Sequence, residues 1–587
     1  MLSVTGIWLY IFFTTALLGY GILRVLTRLI PYRIRHGDSC LLCGLAAVTV
    51  YAQLFSLFGR VAMAANLLLV AVCVSILYCD RREIIGILRG MWNGISQNKS
   101  GVLERRGRMF IMVFLFFLFA YGTSRGAIHY DTGLYHAQSI RWLEEYGVVK
   151  GLGNLHCRLA YNSSSFALSA LYSMAFLGGQ SYHAAAGWLA FLLAKVCLEL
   201  VDSLHARRLR ASDFARVMGI YYLVNIFDEM ISPASDYFMV LLAFFIVIRW
   251  LELLEKKERV IFPYAMLCVM GVFLMTVKLS AALILLLVCY PAFRLLRERR
   301  WKEVGIYLWM GSVTALPYLI RNVLLSGWLV YPFTQIDLFD VRWKIPKGVA
   351  DYDAREIQVW GRGYSDVTRY EISMKEWMPD WFRSLAGSDK LLVTAAMVSV
   401  CILIVCVAGM ILGVCKRRWD ILLVQVAVAG SFVFWLCTSP LIRYGCVYVY
   451  LTPAVILGGI YDAVLTDGVT GKVQVSGMKS TGGGAALRKV WRESVRWCGL
   501  IGVVSLSLYK CMALGREIAA SRGNDYWLVQ KDYENYETSS YEIEGVTFYY
   551  PVNGDQVGYE DFPSAPVRVE IELMGEEVGD GFAAVRQ

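Results

Sequence analysis

Apolar residues fall along this chain in long blocks separated by short, mostly basic loops. The blocks lie at about 3–24, 40–58, 61–79, 109–127, 184–202, 214–230, 236–255, 260–276, 278–296, 302–323, 391–414, 420–438, 446–464 and 496–513. A helix rising 1.5 Å per residue needs roughly 17–25 such residues to cross a hydrocarbon layer of about 30 Å. The pattern therefore predicts about 14 membrane-spanning helices. Segment 164–178 is shorter and Ser-rich, and Lys278 alone divides two adjacent blocks. Basic clusters set the direction of each crossing. Arg24 to Arg35, Arg81 to Arg108, Arg207 to Arg216, Lys256 to Arg259, Arg294 to Lys302, Lys416 to Arg418 and Lys472 to Arg496 all fall on the cytoplasmic side if 164–178 does not cross. That segment is read as a helix lying along the outer surface, or a re-entrant one. Both termini are then extracytoplasmic.

The organisation that follows has N-terminal membrane helices over 1–80 and a membrane core over 105–464, with long outer loops at 128–183 and 324–390. A cytoplasmic linker at 465–495 carries Ser480-Thr481-Gly482-Gly483-Gly484, a last span covers 496–513, and 514–587 forms a small outer domain. Tyr541–Pro551 and Val567–Leu573 alternate apolar and polar positions there, which predicts short strands. The fold class is thus an all-α polytopic membrane protein with juxtamembrane helices on its outer face and a small β-containing C-terminal segment. The first apolar block lacks a basic leader and a small-residue cleavage site, so no cleavable signal is expected.

Composition agrees with this pattern: 57% apolar and 18% charged residues exclude an ordinary soluble domain and exclude disorder. A net charge of +10 would suit a nucleic-acid binder, but the basic residues cluster between apolar blocks, where they orient helices. Nearly all of the 15 cysteines lie in or beside apolar blocks, and the Cys40/Cys43 pair has no second partner pair, so neither a disulfide framework nor a zinc site is expected. No phosphate-binding glycine loop occurs. Energy must come from a substrate or a gradient.

Polar chemistry collects in a few places. The stretch from His129 through Asp131, His136 and Trp142 to Glu145 reads as one amphipathic helix of about four turns. Leu134, Ala137, Ile140 and Leu143 would rest on the membrane, while Asp131 enters at the first turn. The plain alternative is an interfacial helix with Asp131 as its N-cap. The same loop adds His156, Arg158 and Asn162, and a second outer turn carries Asp228, Glu229 and Asp236. Lys278, Arg321 and Arg443 stand at span ends, where a cation either snorkels or serves function. Lys195 and Glu199, four apart within one span, read as an intramembrane pair. The outer groups share one side of the membrane. A carboxylate facing a cationic clamp suits sugar transfer from a lipid-phosphate donor. The departing phosphate, with a second pKa of about 6, needs cations rather than a general acid, whereas the acceptor hydroxyl needs a base.

Several stretches resemble the GT-C class of integral-membrane glycosyltransferases, and more closely a bacterial family of large multi-pass proteins related to it. They are Tyr130-Asp131-Thr132-Gly133-Leu134-Tyr135-His136, Gly151 to His156, Asn162-Ser163-Ser164, Ser232-Pro233 with Asp236, and Lys278-Leu279-Ser280. Glu145 to Val148, Arg321-Asn322 with Ser326-Gly327 and Tyr331-Pro332, Ser439-Pro440 with Arg443-Tyr444-Gly445, and Tyr550-Pro551 with Gly558-Tyr559 and Phe562-Pro563 complete the set, from about 105 to the end. The resemblance implies a GT-C-like helical core in a bacterial cytoplasmic membrane, serving cell-envelope polysaccharide synthesis. By it, Asp131 is the base, with Glu144 on the same helix as the alternative, and Arg443, Lys278 and Arg321 hold the donor phosphate. Asp228, Glu229, Asp236, His129, His136, His156, Arg158 and Asn162 are candidates for the acceptor or for a divalent metal ion; no other cofactor is implied. The expected activity moves a sugar from a polyprenyl-phosphate-linked donor to a glycan, lipid or protein. A flippase for lipid-linked glycans and a polysaccharide polymerase are the alternatives, the latter suggested by Arg342, Lys344, Arg355, Arg362 and Arg369 in the 324–390 loop.

Overall fold

The structure, a computed structural model, describes residues 1–32, 37–86, 89, 102–206, 208–413, 419–467, 483–520 and 525–585. Part of the linker expected at 465–495 and the basic residues Arg33, Arg35, Arg207, Lys416, Arg417, Arg418 and Lys472 lie outside the described residues.

The chain is an all-α polytopic membrane protein. Its helices are α1 (Leu2–Leu29), α2 (Gly37–Ser56), α3 (Met63–Cys79), α4 (Val102–Ser124), α5 (Ala137–Glu145), α6 (Ser164–Leu171), α7 (Ala185–Cys197), α8 (Ala211–Asn225), α9 (Ser235–Glu255) and α10 (Phe262–Val277). They continue as α11 (Leu279–Arg297, its first ten residues 3-10), α12 (Trp301–Ser326), α13 (Lys347–Gly361), α14 (Met374–Ser384), α15 (Gly387–Ile411), α16 (Trp419–Thr438), α17 (Ile442–Asp467) and α18 (Gly483–Ala520). All fourteen apolar blocks are helical, but among the described residues ten helices are long and apolar enough to cross a membrane. The other four blocks hold α3, α7, α8 and α10, of 17, 13, 15 and 16 residues. At 1.5 Å per residue these reach about 20–26 Å. Helices α7, α8 and α10 sit largely against longer neighbours, whereas α3 buries only Ala65, Asn66, Leu69 and Cys73.

Helix α9 is the centre of the bundle. Every residue from Ser235 to Glu252 is buried, as expected of a helix that is apolar on all sides. Helices α7, α8, α10 and α17 surround it. Asp236 and Lys256 mark its two ends, about 30 Å apart by helical rise. Met1 and Tyr526 meet at the Asp236 end, where the Met1 amine donates to the Tyr526 carbonyl at 2.5 Å.

The structure corrects one reading of the 128–183 loop and narrows another. Thr132–His136 forms a wide π-type turn that runs straight into α5, so the four-turn helix exists. Its apolar face does not lie on the membrane: Leu134, Ala137, Ile140 and Leu143 are all buried in protein. Of the two alternatives for segment 164–178, helix α6 does not lie along a surface, and its burial is compatible with the re-entrant one. Its eight residues are all buried, packed against α2 and α5, and it is too short to cross. Lys195 and Glu199 do not pair with each other. Lys195 meets Asp38, and Glu199 accepts from Arg216 at 3.0 Å and Arg249 at 2.9 Å. Four helices thereby share one buried ionic network at the end of α9 away from Asp236.

The tail folds as two small antiparallel sheets, β1 (Thr538–Ile543) with β2 (Val546–Pro551), and β3 (Ile571–Leu573) with β4 (Phe582–Ala584). Its aromatic residues pack rather than project: Phe548 and Phe582 are fully buried, and Phe562 and Phe582 lie 4.6 and 5.7 Å from the buried Trp142 ring.

Candidate functional site

Asp131 is placed by a loop that is fastened to the turn before α9. The Ala127 amide donates to the Asp228 carbonyl at 2.9 Å, and the His129 amide to Ser232 Oγ at 2.7 Å. Gly126, just ahead of these contacts, has φ +120°, and a Cβ there would sit 2.1 Å from the Asp228 carbonyl oxygen, so only glycine allows this approach. From the other side the tail holds the π-type turn. The Val557 and Gly558 amides both donate to the Gly133 carbonyl, at 2.9 and 2.8 Å, and Gln138 Nε2 donates to the Gly558 and Asp561 carbonyls at 3.0 Å.

Asp131 occupies the N-cap position, yet its side chain makes no cap hydrogen bond. Its carboxylate pairs instead with Arg443, Oδ2 to Nη2 at 3.0 Å, and is almost fully buried. The two residues lie 312 positions apart in sequence. Arg443 opens α17, which is kinked at Gly445 (φ −147°, ψ 16°). A Cβ on Gly445 would lie 2.4 Å from Trp435 Cδ1, so the indole ring fills the space under the kink. The turn ahead of Arg443 is anchored to the second outer loop, with Ser439 Oγ donating to the Ile357 carbonyl at 2.9 Å and Trp381 Nε1 to the Pro440 carbonyl at 2.9 Å.

His129 completes this cluster. Arg443 Nη1 approaches its Nε2 at 2.9 Å and the Asp131 amide approaches its Nδ1 at 3.1 Å. An imidazolium could accept at neither nitrogen, whereas a neutral ring accepts at one, so the ring is neutral here. Burial lowers the His129 pKa, and Arg443 adds to that while Asp131, Asp236 and Glu229 oppose it. Next to it, Lys278 pairs with Asp236 and lies 4.5 Å from the Tyr444 ring centroid, and Tyr237 donates to Glu229. Two ion pairs, Arg443–Asp131 and Lys278–Asp236, therefore share one end of the bundle.

Arg321 behaves differently. It is 2% exposed near the end of α12, its Nε and Nη1 have no hydrogen-bond partner, and among the described residues it has no ion-pair partner. Its neighbour Asn322 joins it to the site: Asn162 Nδ2 donates to Asn322 Oδ1 at 3.1 Å, and Ser163 Oγ to the Val277 carbonyl, next to Lys278, at 2.8 Å. A buried cation without a counter-ion is energetically costly.

The remaining sequence candidates separate from this cluster. Glu144 is not a free base. It accepts from Ser181 at 2.8 Å and Tyr559 at 2.6 Å, and burial raises its pKa against those hydrogen bonds. Asp228 joins Arg125 (2.8 Å) and Lys510. Burial works against its charge, but hydrogen bonds from Lys510 and Arg125 outweigh it and lower the pKa. Arg158 lies 3.3 Å from Glu356 and 4.4 Å from the Trp360 ring centroid. His136 is buried beside His129 and its pKa falls well below the ordinary value for that reason, while burial and then Arg158 bring His156 to about 3. Asp228, Glu229 and Asp236, candidates for the acceptor or for a divalent ion, do not converge on one point. Each carboxylate faces its own cation or hydroxyl, and among the described residues no three His, Cys, Asp or Glu side chains converge on one point.

Sequence reasoning missed Ser232, Tyr237, Tyr444 and the tail segment Asp555–Asp561 as parts of the site, together with the Asp353 group. Asp353 accepts from Tyr161 at 2.5 Å and Tyr331 at 3.0 Å under the second loop. Tyr444 and Tyr331 stand inside quoted motifs and could have been singled out. In the tail, Gly558-Tyr559 also stands inside a quoted motif, but nothing in the sequence pairs it with Gln138, more than 400 residues away.

Residues 1–450 match a family model described as "Domain of unknown function (DUF8201)". The chain belongs to that family. The match begins at residue 1, so it takes in the three leading helices as well as Asp131, Asp236, Lys278, Arg321 and Arg443, and it stops within α17, ahead of the tail. No curated protein and no solved structure matches the chain.

Proposed function

We propose that this DUF8201 protein is a membrane glycosyltransferase. It would move a sugar from a polyprenyl-phosphate-linked donor to a glycan, lipid or protein acceptor at the Asp131 end of the bundle. The observation that carries this reading is the 3.0 Å pair between Asp131 and Arg443, residues from distant parts of the chain. In the resting protein each neutralises the other. A donor phosphate competes for Arg443, with Lys278 and the uncompensated Arg321 at hand for the charge that grows on the leaving oxygen. Release of Arg443 leaves the Asp131 carboxylate free to take the acceptor proton. The acceptor oxygen bonds to the anomeric carbon as the bond from that carbon to the phosphate oxygen breaks, and the electron pair leaves with the phosphate. Direct displacement inverts the anomeric centre. His129, neutral and against Arg443, holds the guanidinium in place without adding a competing charge. The reading extends to a bacterial cytoplasmic membrane with this end facing outward, as the basic clusters predict.

The test uses purified protein in vesicles that contain a polyprenyl-phosphate-linked radiolabelled hexose, with envelope extract as acceptor. Release of polyprenyl phosphate with label passing to the acceptor is expected, and Asp131→Asn should lower it by about 10²–10⁴-fold. Movement of intact labelled lipid across the vesicle, with no phosphate released, would replace this reading by the transport one.

A further inference from the structure

A deep groove among the described residues lies remote from Asp131. It has a volume of about 910 Å³ and runs between α1, α2 and α3 on one side and α9, α10 and α12 on the other. Along α2 its wall is Ser39, Leu42, Ala46, Val50 and Leu54, a stripe three to four residues apart that covers about 22 Å of helix. Half of a bilayer measured with its headgroup layer is about 20–22 Å thick. The groove is therefore as deep as one leaflet. Its long walls are mostly apolar, and its charged groups gather at one end: Arg24, Arg28 and Lys256, with Tyr32 and Ser39 beside them, Arg249 behind them and Asp80 and Glu252 as the acids.

That mouth lies at the Lys256 end of α9, opposite the proposed sugar-transfer site, on the face that the basic clusters predict to be cytoplasmic. Three of the cations already have partners. Arg24 pairs with Asp80 and, at 2.7 Å, with Glu83; Lys256 is 3.1 Å from Glu252; Arg249 is held by Asp38, Glu199 and Glu252. Arg28 is exposed at the rim and among the described residues has no ion-pair partner. Basic residues at the mouth of a groove between membrane helices are a recognised arrangement for anionic headgroups.

We propose that this groove holds a phospholipid with an anionic headgroup. One acyl chain lies along α2 and the phosphate faces Arg28, with the Ser39 hydroxyl beside it. The lipid fills the gap between the three leading helices and the core, so it acts as a structural ligand of the whole bundle. This assignment is independent of the proposed glycosyl transfer.

Native mass spectrometry of the full chain, offered phosphatidylglycerol, phosphatidylcholine and a polyprenyl phosphate in equal amounts, tests the assignment. The wild type should retain phosphatidylglycerol over the other two. Arg28→Gln should reduce the preference for phosphatidylglycerol over phosphatidylcholine about five-fold. Ala47→Trp, which fills the groove wall, should lose bound lipid of every kind. Thermal unfolding of each variant in a common detergent confirms that the fold is kept. Equal retention of phosphatidylglycerol and phosphatidylcholine by the wild type overturns the proposal, as does preferential retention of the polyprenyl phosphate. An unchanged preference in a folded Arg28→Gln protein, or undiminished lipid in a folded Ala47→Trp protein, overturns it equally.

Discussion

Asp131→Asn should tighten binding of the phosphate-linked donor while slowing its turnover, and Arg443→Gln should weaken donor binding. The opposite signs follow from the ion pair. Charge centres about 4 Å apart interact by roughly 4 kcal/mol at an effective dielectric of ~20. Arg443 is 31% exposed, so screening reduces this to about 1–2 kcal/mol. A donor phosphate must overcome that attraction before it can take the guanidinium. Removing the Asp131 charge lifts the competition, and donor affinity rises by roughly 5–30-fold. The same change deletes the base, which lowers kcat by about 10²–10⁴-fold. Falling kcat with falling KM is an unusual combination that general damage to the fold does not produce. Steady-state kinetics and equilibrium binding of the donor to wild type, both single variants and the double variant would measure the signs and the coupling. An Asp131→Asn protein that binds donor more weakly, or an Arg443→Gln protein with unaltered affinity, refutes the exchange of partners.

Three other expectations use different parts of the same end of the molecule. Gly445→Ala puts a Cβ 2.4 Å from Trp435 Cδ1, so the first turn of α17 must retreat by about 1 Å. Arg443 moves with it, and turnover should fall about 10²-fold for a stability loss of ~1–3 kcal/mol, read by kinetics and thermal unfolding together. Burial holds the His129 pKa below the ordinary value of about 6.5, so below that pH the unfolded chain takes up a proton that the folded one resists. Stability should therefore decline as pH falls from about 6.5 until the depressed folded pKa is passed, and a His129→Gln protein should show a shallower decline in thermal midpoint between pH 7 and 5. Arg321→Met removes a buried, uncompensated charge, so it should raise the thermal midpoint while reducing donor affinity about ten-fold or more; a destabilised variant with normal affinity would mean that Arg321 is structural.

Local pattern was sufficient for much of the architecture. Apolar block length and basic punctuation located all fourteen helical blocks, and period-two alternation located β1, β2 and β3 of the tail but not the three-residue β4. These signals are short-range: a helix or a strand depends on residues within one or two turns. The same kind of signal failed wherever burial by a distant element decided the outcome. Leu134, Ala137, Ile140 and Leu143 form an apolar face that could as well rest on lipid as on protein, and only the packing of α6 and the tail against α5 settles which. Glu144 and Asp131 share one helical run and looked interchangeable, yet Tyr559 occupies one carboxylate and Arg443 the other. Lys195 and Glu199 had suitable spacing for a pair, but Asp38 and two arginines from other helices offered more charge at closer range.

The sequence by itself determined that this chain crosses membranes many times and that its ionisable residues collect at helix ends, because the cost of placing charge in hydrocarbon acts on each segment separately. Which carboxylate meets which cation was decided only in three dimensions. Partners such as Asp131 and Arg443, more than 300 residues apart in sequence, are brought together by the packing of whole helices around α9, and Coulomb attraction then selects among the charges that packing has placed within reach.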